Sequence, residues 1–183
     1  MRDFFQEQLN ELKRELTIMG ASCEEIIALA SHALTDMDED LVRKVETIGA
    51  QIDESERTIE TICMKLLLRQ QPVARDLRVI SSALKMITDM ERIGHQSADI
   101  AEIITMANIS ASDDMLNIHD MALATIKMVI DSVTAFVQKY PELAKAVVAY
   151  DDVVDGYFDQ VKSTLIERFS KSESDGEYAL DLL

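Results

Sequence analysis

The sequence predicts an all-α protein assembled from long helices. Apolar residues recur in alternating steps of three and four over long stretches, which is the spacing of one face of an α-helix. The 183 residues include only five glycines and two prolines, so the chain has little of the turn-forming material that a many-stranded protein needs. Apolar residues make up 48% of the chain and aromatic residues 5%, enough for an aliphatic core in one domain or in two small ones.

The first predicted helix has the longest unbroken pattern. An apolar stripe of this length and spacing is a coiled-coil-like seam, and at 1.5 Å per residue it implies a helix of about 50 Å. Periodic helices longer than about 25 residues are typical of bundles and coiled coils. The stripe consists of Phe5, Leu9, Leu12, Leu16, Met19, Cys23, Ile26, Ala30, Ala33 and Met37.

Two further helices complete a first unit. The acidic residues 38–40 suit a helix N-terminus, and a second apolar stripe runs from there to Leu66. Pro72 fits the first turn of a third helix that extends to about Asn108. We therefore expect a complete antiparallel three-helix bundle over roughly residues 3 to 108, with helix axes crossing at about 20°.

The rest of the chain repeats this pattern in part. After a polar break, a fourth helix carries an apolar stripe that ends near Phe136, and Pro141 begins a fifth helix. A shift of 102 residues places Val45 on Val147 and Asp53 on Asp155, which indicates an internal repeat.

The predicted division is residues 1–109 for a first three-helix repeat and 110–183 for a second repeat. The second repeat holds two helices and the start of a third, so the prediction is two three-helix bundles in tandem, the second incomplete.

Charge and hydropathy exclude several classes of protein. The net charge is −16, from 34 acidic and 18 basic residues. We therefore expect the protein to attract cations and not to bind nucleic acid. No apolar run is long enough to span a membrane, and the N-terminus lacks the apolar core of a secretory signal. Cys23 and Cys63 lie on the apolar stripes of separate helices, as reduced core residues do. These features predict a cytoplasmic protein.

A carboxylate interrupts the apolar stripe of the third helix. Leu84 and Ile87 lead at helical spacing to Glu91, and His95 and Asp99 follow four and eight residues later on nearly the same face. Burying a lone carboxylate costs several kcal/mol, so such a group is usually paired, protonated or bound to a metal ion. Two interpretations remain open, an arginine partner from a neighbouring helix and a metal site.

Two segments of the chain resemble the PhoU family of bacterial phosphate-uptake accessory and regulatory proteins. Residues 69–78 read Arg-Gln-Gln-Pro-Val-Ala-Arg-Asp-Leu-Arg, and residues 91–94 read Glu-Arg-Ile-Gly. The family has Gln-Pro-x-Ala-x-Asp-Leu-Arg followed by Glu-Arg-Ile-Gly-Asp. The resemblance implies a fold of two antiparallel three-helix bundles related by pseudo-twofold symmetry.

The resemblance also implies metal ligands. Family members carry acid-x-x-x-acid motifs on the second and third helices of each repeat. Glu91 matches the first acid of the third helix, but His95 stands where Asp is usual. Asp53 matches one acid of the second helix, while Gly49 occupies the other position. A divalent or trivalent ion is implied, and the imidazole shifts the preference from Mg or Mn towards Zn, Fe or Ni.

In the second repeat, Asp151 and Asp155 match the family motif, although the sixth helix that would face them is missing from the sequence. A missing helix would leave the apolar side of the fifth helix partly uncovered, including Val154 and Phe158. We therefore expect either that the chain is truncated or that a homodimer covers this side.

The function implied by the resemblance is non-enzymatic regulation. The chain would link the ATPase of a phosphate ABC transporter to a sensor histidine kinase, reach the membrane only through these partners, and dampen the phosphate-starvation response. The alternative is a carboxylate-bridged metalloenzyme or metal-storage bundle. Ferritin-like bundles use paired Glu-x-x-His motifs, whereas Glu91 and His95 are four residues apart and have no second copy.

Overall fold

The computed structural model describes residues 2–34, 39–70, 73–106 and 116–171. These residues form five α-helices and contain no strand, so the all-α prediction is confirmed. The helices are α1 (Arg2–Ala33), α2 (Glu39–Gln70), α3 (Ala74–Met106), α4 (Leu116–Gln138) and α5 (Pro141–Lys171). Within the described ranges, no helix combines the length and hydropathy that a membrane span requires.

The first three helices pack against one another as a bundle. Their apolar stripes meet in one core, in which Leu16 of α1, Ile52 of α2 and Ile80 of α3 have no exposed surface. Burying each such side chain fully contributes about 1.5–3 kcal/mol. Helix α1 ends at Ala33, and Met37, the last residue of its predicted stripe, lies outside the described residues. Pro72 and Asn108, the predicted limits of α3, also lie outside them.

Helix α4 packs against α1, a contact that the sequence did not predict. Gly20 of α1 makes the close approach possible, because a Cβ atom there would lie 3.1 Å from a γ-carbon of Val133. Val129 and Val133 of α4 are buried in the same cluster as the core of the first bundle. The second pair of helices therefore shares a core with the first three.

A tight turn joins α4 to α5. Lys139 has a φ of 56°, and the amide of Tyr140 donates a hydrogen bond of 2.8 Å to the carbonyl oxygen of Ala135. Pro141 then begins α5, as its fixed φ and missing amide proton predict.

The apolar side of α5 is covered only in part. Val161 and Leu165 are buried and pack with Ile118 of α4, whereas Phe158 is 44% exposed. Residues 172–183, on which the predictions of truncation and of an incomplete sixth helix rest, lie outside the described part of the chain.

Both cysteines are free and buried, as the stripes predicted. The thiol of Cys23 donates to the carbonyl oxygen of Met90 at 3.5 Å, across the α1–α3 interface. Burial raises the pKa of Cys23 to about 12, and burial followed by the charge of Glu60 raises that of Cys63 to about 11. Both thiols are therefore protonated at neutral pH.

Candidate metal site

Helices α2 and α3 bring together three of the side chains that the resemblance implied as ligands. Asp53 of α2 lies opposite Glu91 and His95 of α3, and one donor atom from each lies within 4.8 Å of the other two. Ile52 and Met90, which directly precede the two acids, are buried in the core. The acids therefore project from the edge of the packed α2–α3 interface, where a side chain is only partly desolvated.

The imidazole of His95 lies between the two carboxylates. Its Nε2 atom is 3.3 Å from Oδ1 of Asp53, and its Nδ1 atom is 3.8 Å from Oε1 of Glu91. Exposed fractions are 33% for the Asp53 side chain, 27% for Glu91 and 56% for His95. A neutral imidazole carries one N–H, so it can donate to only one carboxylate and offers a lone pair on its other nitrogen.

One oxygen of the group is buried without a hydrogen bond. Oδ1 of Asp53 is inaccessible to solvent, and no hydrogen bond joins it to the Nε2 atom of His95, which lies 3.3 Å away. A buried acceptor of this kind is costly unless it has a partner. Two carboxylates and an imidazole are ligand types of Zn²⁺ and Fe²⁺ sites, and a bound ion would give Oδ1 of Asp53 the partner that it lacks.

The arginine interpretation of Glu91 is wrong for the part of the chain that the structure describes. No ion pair there joins Glu91 to an arginine, and the neighbouring Arg92 instead pairs with Asp89 at 3.5 Å. The Nδ1 atom of His95 instead lies 3.8 Å from the Glu91 carboxylate. Asp99, the third polar residue on this face, is exposed and does not join the group.

Two glycines shape the site in different ways. A Cβ atom on Gly94 would lie 3.1 Å from Cδ1 and 3.3 Å from Cγ2 of Ile52, so glycine lets α2 and α3 approach closely beside the predicted ligands. At Gly49 the nearest atom would be Cδ1 of Ile26 at 3.9 Å, an ordinary contact. The position of the missing family acid therefore has room for a side chain.

A third acid beside this group, Glu56, was missed at the level of sequence. Burial and then the negative charges of Glu91, Glu60 and Asp53 raise the pKa of its carboxyl group. The available signal was the spacing of three residues from Asp53 to Glu56, which places both on one face of α2. The family motif has a spacing of four and does not contain this position. Glu56 adds negative charge beside a site that lacks the acid replaced by Gly49.

The two predicted ligands of the second repeat are not brought to a comparable group. Asp151 and Asp155 are exposed on α5, and among the described residues no histidine, cysteine or further acid completes a cluster with them. Their role as ligands stays a prediction.

Comparison with known proteins identifies the family. A family model described as the PhoU domain matches residues 16–104 and 118–183. The chain belongs to the PhoU family. A relative from Thermotoga maritima, "Phosphate-specific transport system accessory protein PhoU homolog 1", is 33% identical over 177 residues, which are 92% of this chain and 76% of the relative. A Clostridium acetobutylicum PhoU homolog is also described as a phosphate-specific transport system accessory protein. It is 33% identical over 94% of this chain and 80% of the relative's length.

A solved structure agrees. The crystal structure of PhoU from Pseudomonas aeruginosa superposes with a TM-score of 0.89 and 28% identity, over 97% of this chain and 86% of that one. Of the two segments that resemble the PhoU family, one lies at the candidate metal site and the other at the start of α3. Residues 91–94 contain both a predicted ligand, Glu91, and the close-approach residue Gly94, whereas residues 74–78 begin α3 with exposed Arg75 and Arg78.

Proposed function

We propose that the protein is a non-enzymatic accessory regulator of phosphate uptake. The supporting observation is its membership of the PhoU family together with relatives named as phosphate-specific transport accessory proteins. The regulator acts in the cytoplasm and reaches the membrane only through its partners. It links the ATPase of a phosphate ABC transporter to a sensor histidine kinase and lowers the starvation response when phosphate is plentiful.

A metal ion at Asp53, Glu91 and His95 is the second part of the proposal. The unpartnered Oδ1 atom of Asp53 is the observation that supports it. An ion there adds positive charge where the carboxylates repel one another, and it ties α2 to α3. The imidazole favours Zn²⁺, Fe²⁺ or Ni²⁺ over Mn²⁺ and Mg²⁺.

A reporter strain tests the regulatory role. In a bacterium that lacks its own PhoU protein, a negative regulator predicts that a phosphate-starvation reporter is active even in phosphate-rich medium. Expression of this chain should lower reporter activity in rich medium and leave it high in phosphate-poor medium. Unchanged reporter activity, with the chain present at normal abundance and pulled down with neither the ATPase nor the kinase, would contradict the proposal.

Metal titration tests the site separately. Purified protein stripped with a chelator and titrated with Zn²⁺ in a calorimeter should bind the ion, and His95→Ala should weaken binding at least tenfold, the order of loss expected for a ligand. Affinity should also fall in mildly acidic buffer, because a ligating imidazole must be unprotonated. Asp159→Asn, at an exposed acid of α5 that is not a predicted ligand, is the control. Equal affinity of His95→Ala and wild type would remove His95 from the site.

A further inference from the structure

Helix α4 has a second apolar stripe, on the side that faces away from the core. Only three of its 23 residues are charged, and its inner face is already buried against α1 through Val129 and Val133. Leu123, Ile126 and Ile130 follow one another in steps of three and four, and Leu123 is 51% and Ile130 37% exposed. We call these three residues the outer stripe. A helix that is apolar on two sides is typical of one that is covered on both.

Two contacts show how α1 lies beside α4. Gly20 of α1 faces Val133 of α4, and eleven residues further along α1 the hydroxyl oxygen of Ser31 lies 3.2 Å from Nδ1 of His119. The two helices therefore run antiparallel, and the segments between these contacts lie side by side.

Two histidine rings mark the side of this helix pair on which the outer stripe lies. The rings of His32 and His119 meet edge to face, with their centroids 6.3 Å apart. The outer stripe follows His119 by four, seven and eleven residues, which is the spacing of one helical face. Ala28 and Ala21 precede His32 by four and eleven residues and so share its face. The outer stripe therefore lies beside small side chains of α1, which leave a shallow groove next to it.

Packing within a three-helix bundle leaves this side open. The shift of 102 residues that reveals the repeat also relates α1 to α4, since it places Leu16 on Ile118. The residues of α1 that correspond to the outer stripe are Ala21, Glu24 and Ala28, and they are exposed or half-buried although α3 packs against α1. A helix that packed on α4 as α3 packs on α1 would therefore leave the outer stripe exposed as well.

Carboxylates border this surface. Glu24 and Glu25 of α1 and Asp120 of α4 are exposed, and no cation among the described residues forms an ion pair with any of them. Lys127 of α4 is already paired with Asp131. An apolar surface edged by three unpaired carboxylates attracts a basic partner, and it repels a second copy of a chain whose net charge is −16.

We propose that this surface binds a basic amphipathic helix of a partner protein. Apolar residues of that helix cover the outer stripe and the neighbouring alanines, and its flanking lysines or arginines pair with the three carboxylates. The outer stripe is about 10 Å long at 1.5 Å per residue, which is the span from i to i+7 on such a helix. The proposal does not depend on the regulatory role or on the metal site, because the surface belongs to α1 and α4 and the predicted ligands Asp53, Glu91 and His95 belong to α2 and α3.

A synthetic peptide tests the apolar part of the surface. The probe is a fluorescent helix of about 16 residues with leucines at i, i+3, i+4 and i+7 and lysines beside them, and binding is followed by anisotropy. Leu123→Lys keeps a good helix former at an exposed position, so the protein should fold normally. It places a like charge in the contact, so peptide affinity should fall on the order of tenfold. Leu68→Lys makes the same change at a residue of α2 that is 77% exposed and should leave affinity within about twofold.

A second pair of variants tests the charge. Glu24→Gln combined with Glu25→Gln should weaken peptide binding about fivefold and make affinity less sensitive to salt. Glu46→Gln combined with Glu102→Gln removes the same charge from exposed positions of α2 and α3 and should leave affinity within about twofold. The proposal is overturned if either surface variant binds the peptide as tightly as its control, or if a scrambled peptide of the same composition binds wild-type protein equally well.

Self-association gives a further outcome. If wild-type protein does not bind the peptide and Leu123→Lys lowers its sedimentation coefficient, a second copy of the chain covers the outer stripe and the proposal is wrong. Absence of peptide binding together with normal reporter repression would overturn the docking surface and leave the regulatory role intact. Peptide binding without repression would do the reverse, so failure of the two proposals can be told apart.

Discussion

Replacing Gly94 by alanine should cost stability, although alanine is the better helix former. The new methyl group would lie 3.1, 3.3 and 3.6 Å from three carbons of Ile52, a side chain with no exposed surface. The two tight contacts, at 3.1 and 3.3 Å, are to the δ- and γ-carbons of a β-branched side chain that is fully buried, so few other rotamers are open to it. Overpacking of this kind costs about 1–3 kcal/mol, and the gain in helix propensity returns about 1 kcal/mol.

Gly49→Ala is the matched control, since it makes the same change in the interior of α2 where the nearest carbon is 3.9 Å away. It should stabilise the protein by about 0.5–1 kcal/mol. The propensity terms cancel between the two variants, so their free energies of unfolding in urea should differ by about 1–3 kcal/mol. If Gly94→Ala were as stable as Gly49→Ala, the close approach of α2 and α3 would not depend on glycine.

Three further predictions concern individual side chains. Gly49→Asp should increase the affinity for Zn²⁺ relative to Gly49→Ala in calorimetric titrations, because it restores an acid four residues from Asp53 in a position with room for it. Burial and neighbouring carboxylates raise the pKa of Glu56, so its ionised form destabilises the metal-free fold. This penalty develops as pH rises above the ordinary pKa of a glutamate and is complete above the raised value. Glu56→Gln should therefore raise the free energy of unfolding at pH 7 with chelator present and change it little at pH 4, as measured by urea denaturation at both values. Burial keeps both thiols protonated, with pKa values of about 12 and 11, so Cys23 and Cys63 should react with a thiol reagent at pH 8 only as fast as the protein unfolds; rapid labelling of folded protein would contradict their burial.

Periodicity alone predicted much of the fold. The seam from Phe5 onward requires a long α1, and the proline at position 141 begins α5 as predicted. The same spacing placed Glu91 and His95 one turn apart on the face of α3 that meets α2, and the two side chains lie 3.8 Å apart. These features depend on neighbours in sequence, because a helix fixes the direction of residues separated by three or four positions.

Contacts between helices could not be predicted from periodicity and were seen only in the tertiary structure. Asp53 entered the site only through the family resemblance, since periodicity cannot say which turn of α2 faces His95. The role of Glu56 depends on the same register, because its nearest charges include a residue of another helix. Packing of α4 on α1 was not foreseen, since an apolar face does not specify which other face it will cover.

The sequence by itself determined that this protein is helical and strongly acidic, and that Glu91 and His95 interrupt an apolar stripe. Tertiary structure decided which residues meet: the imidazole between two carboxylates, the glycine against Ile52, and α4 against α1. The physical reason is that helical direction is set by hydrogen bonds between residues four apart. The register and pairing of helices are set by how whole surfaces fit, through contacts between residues far apart in the chain.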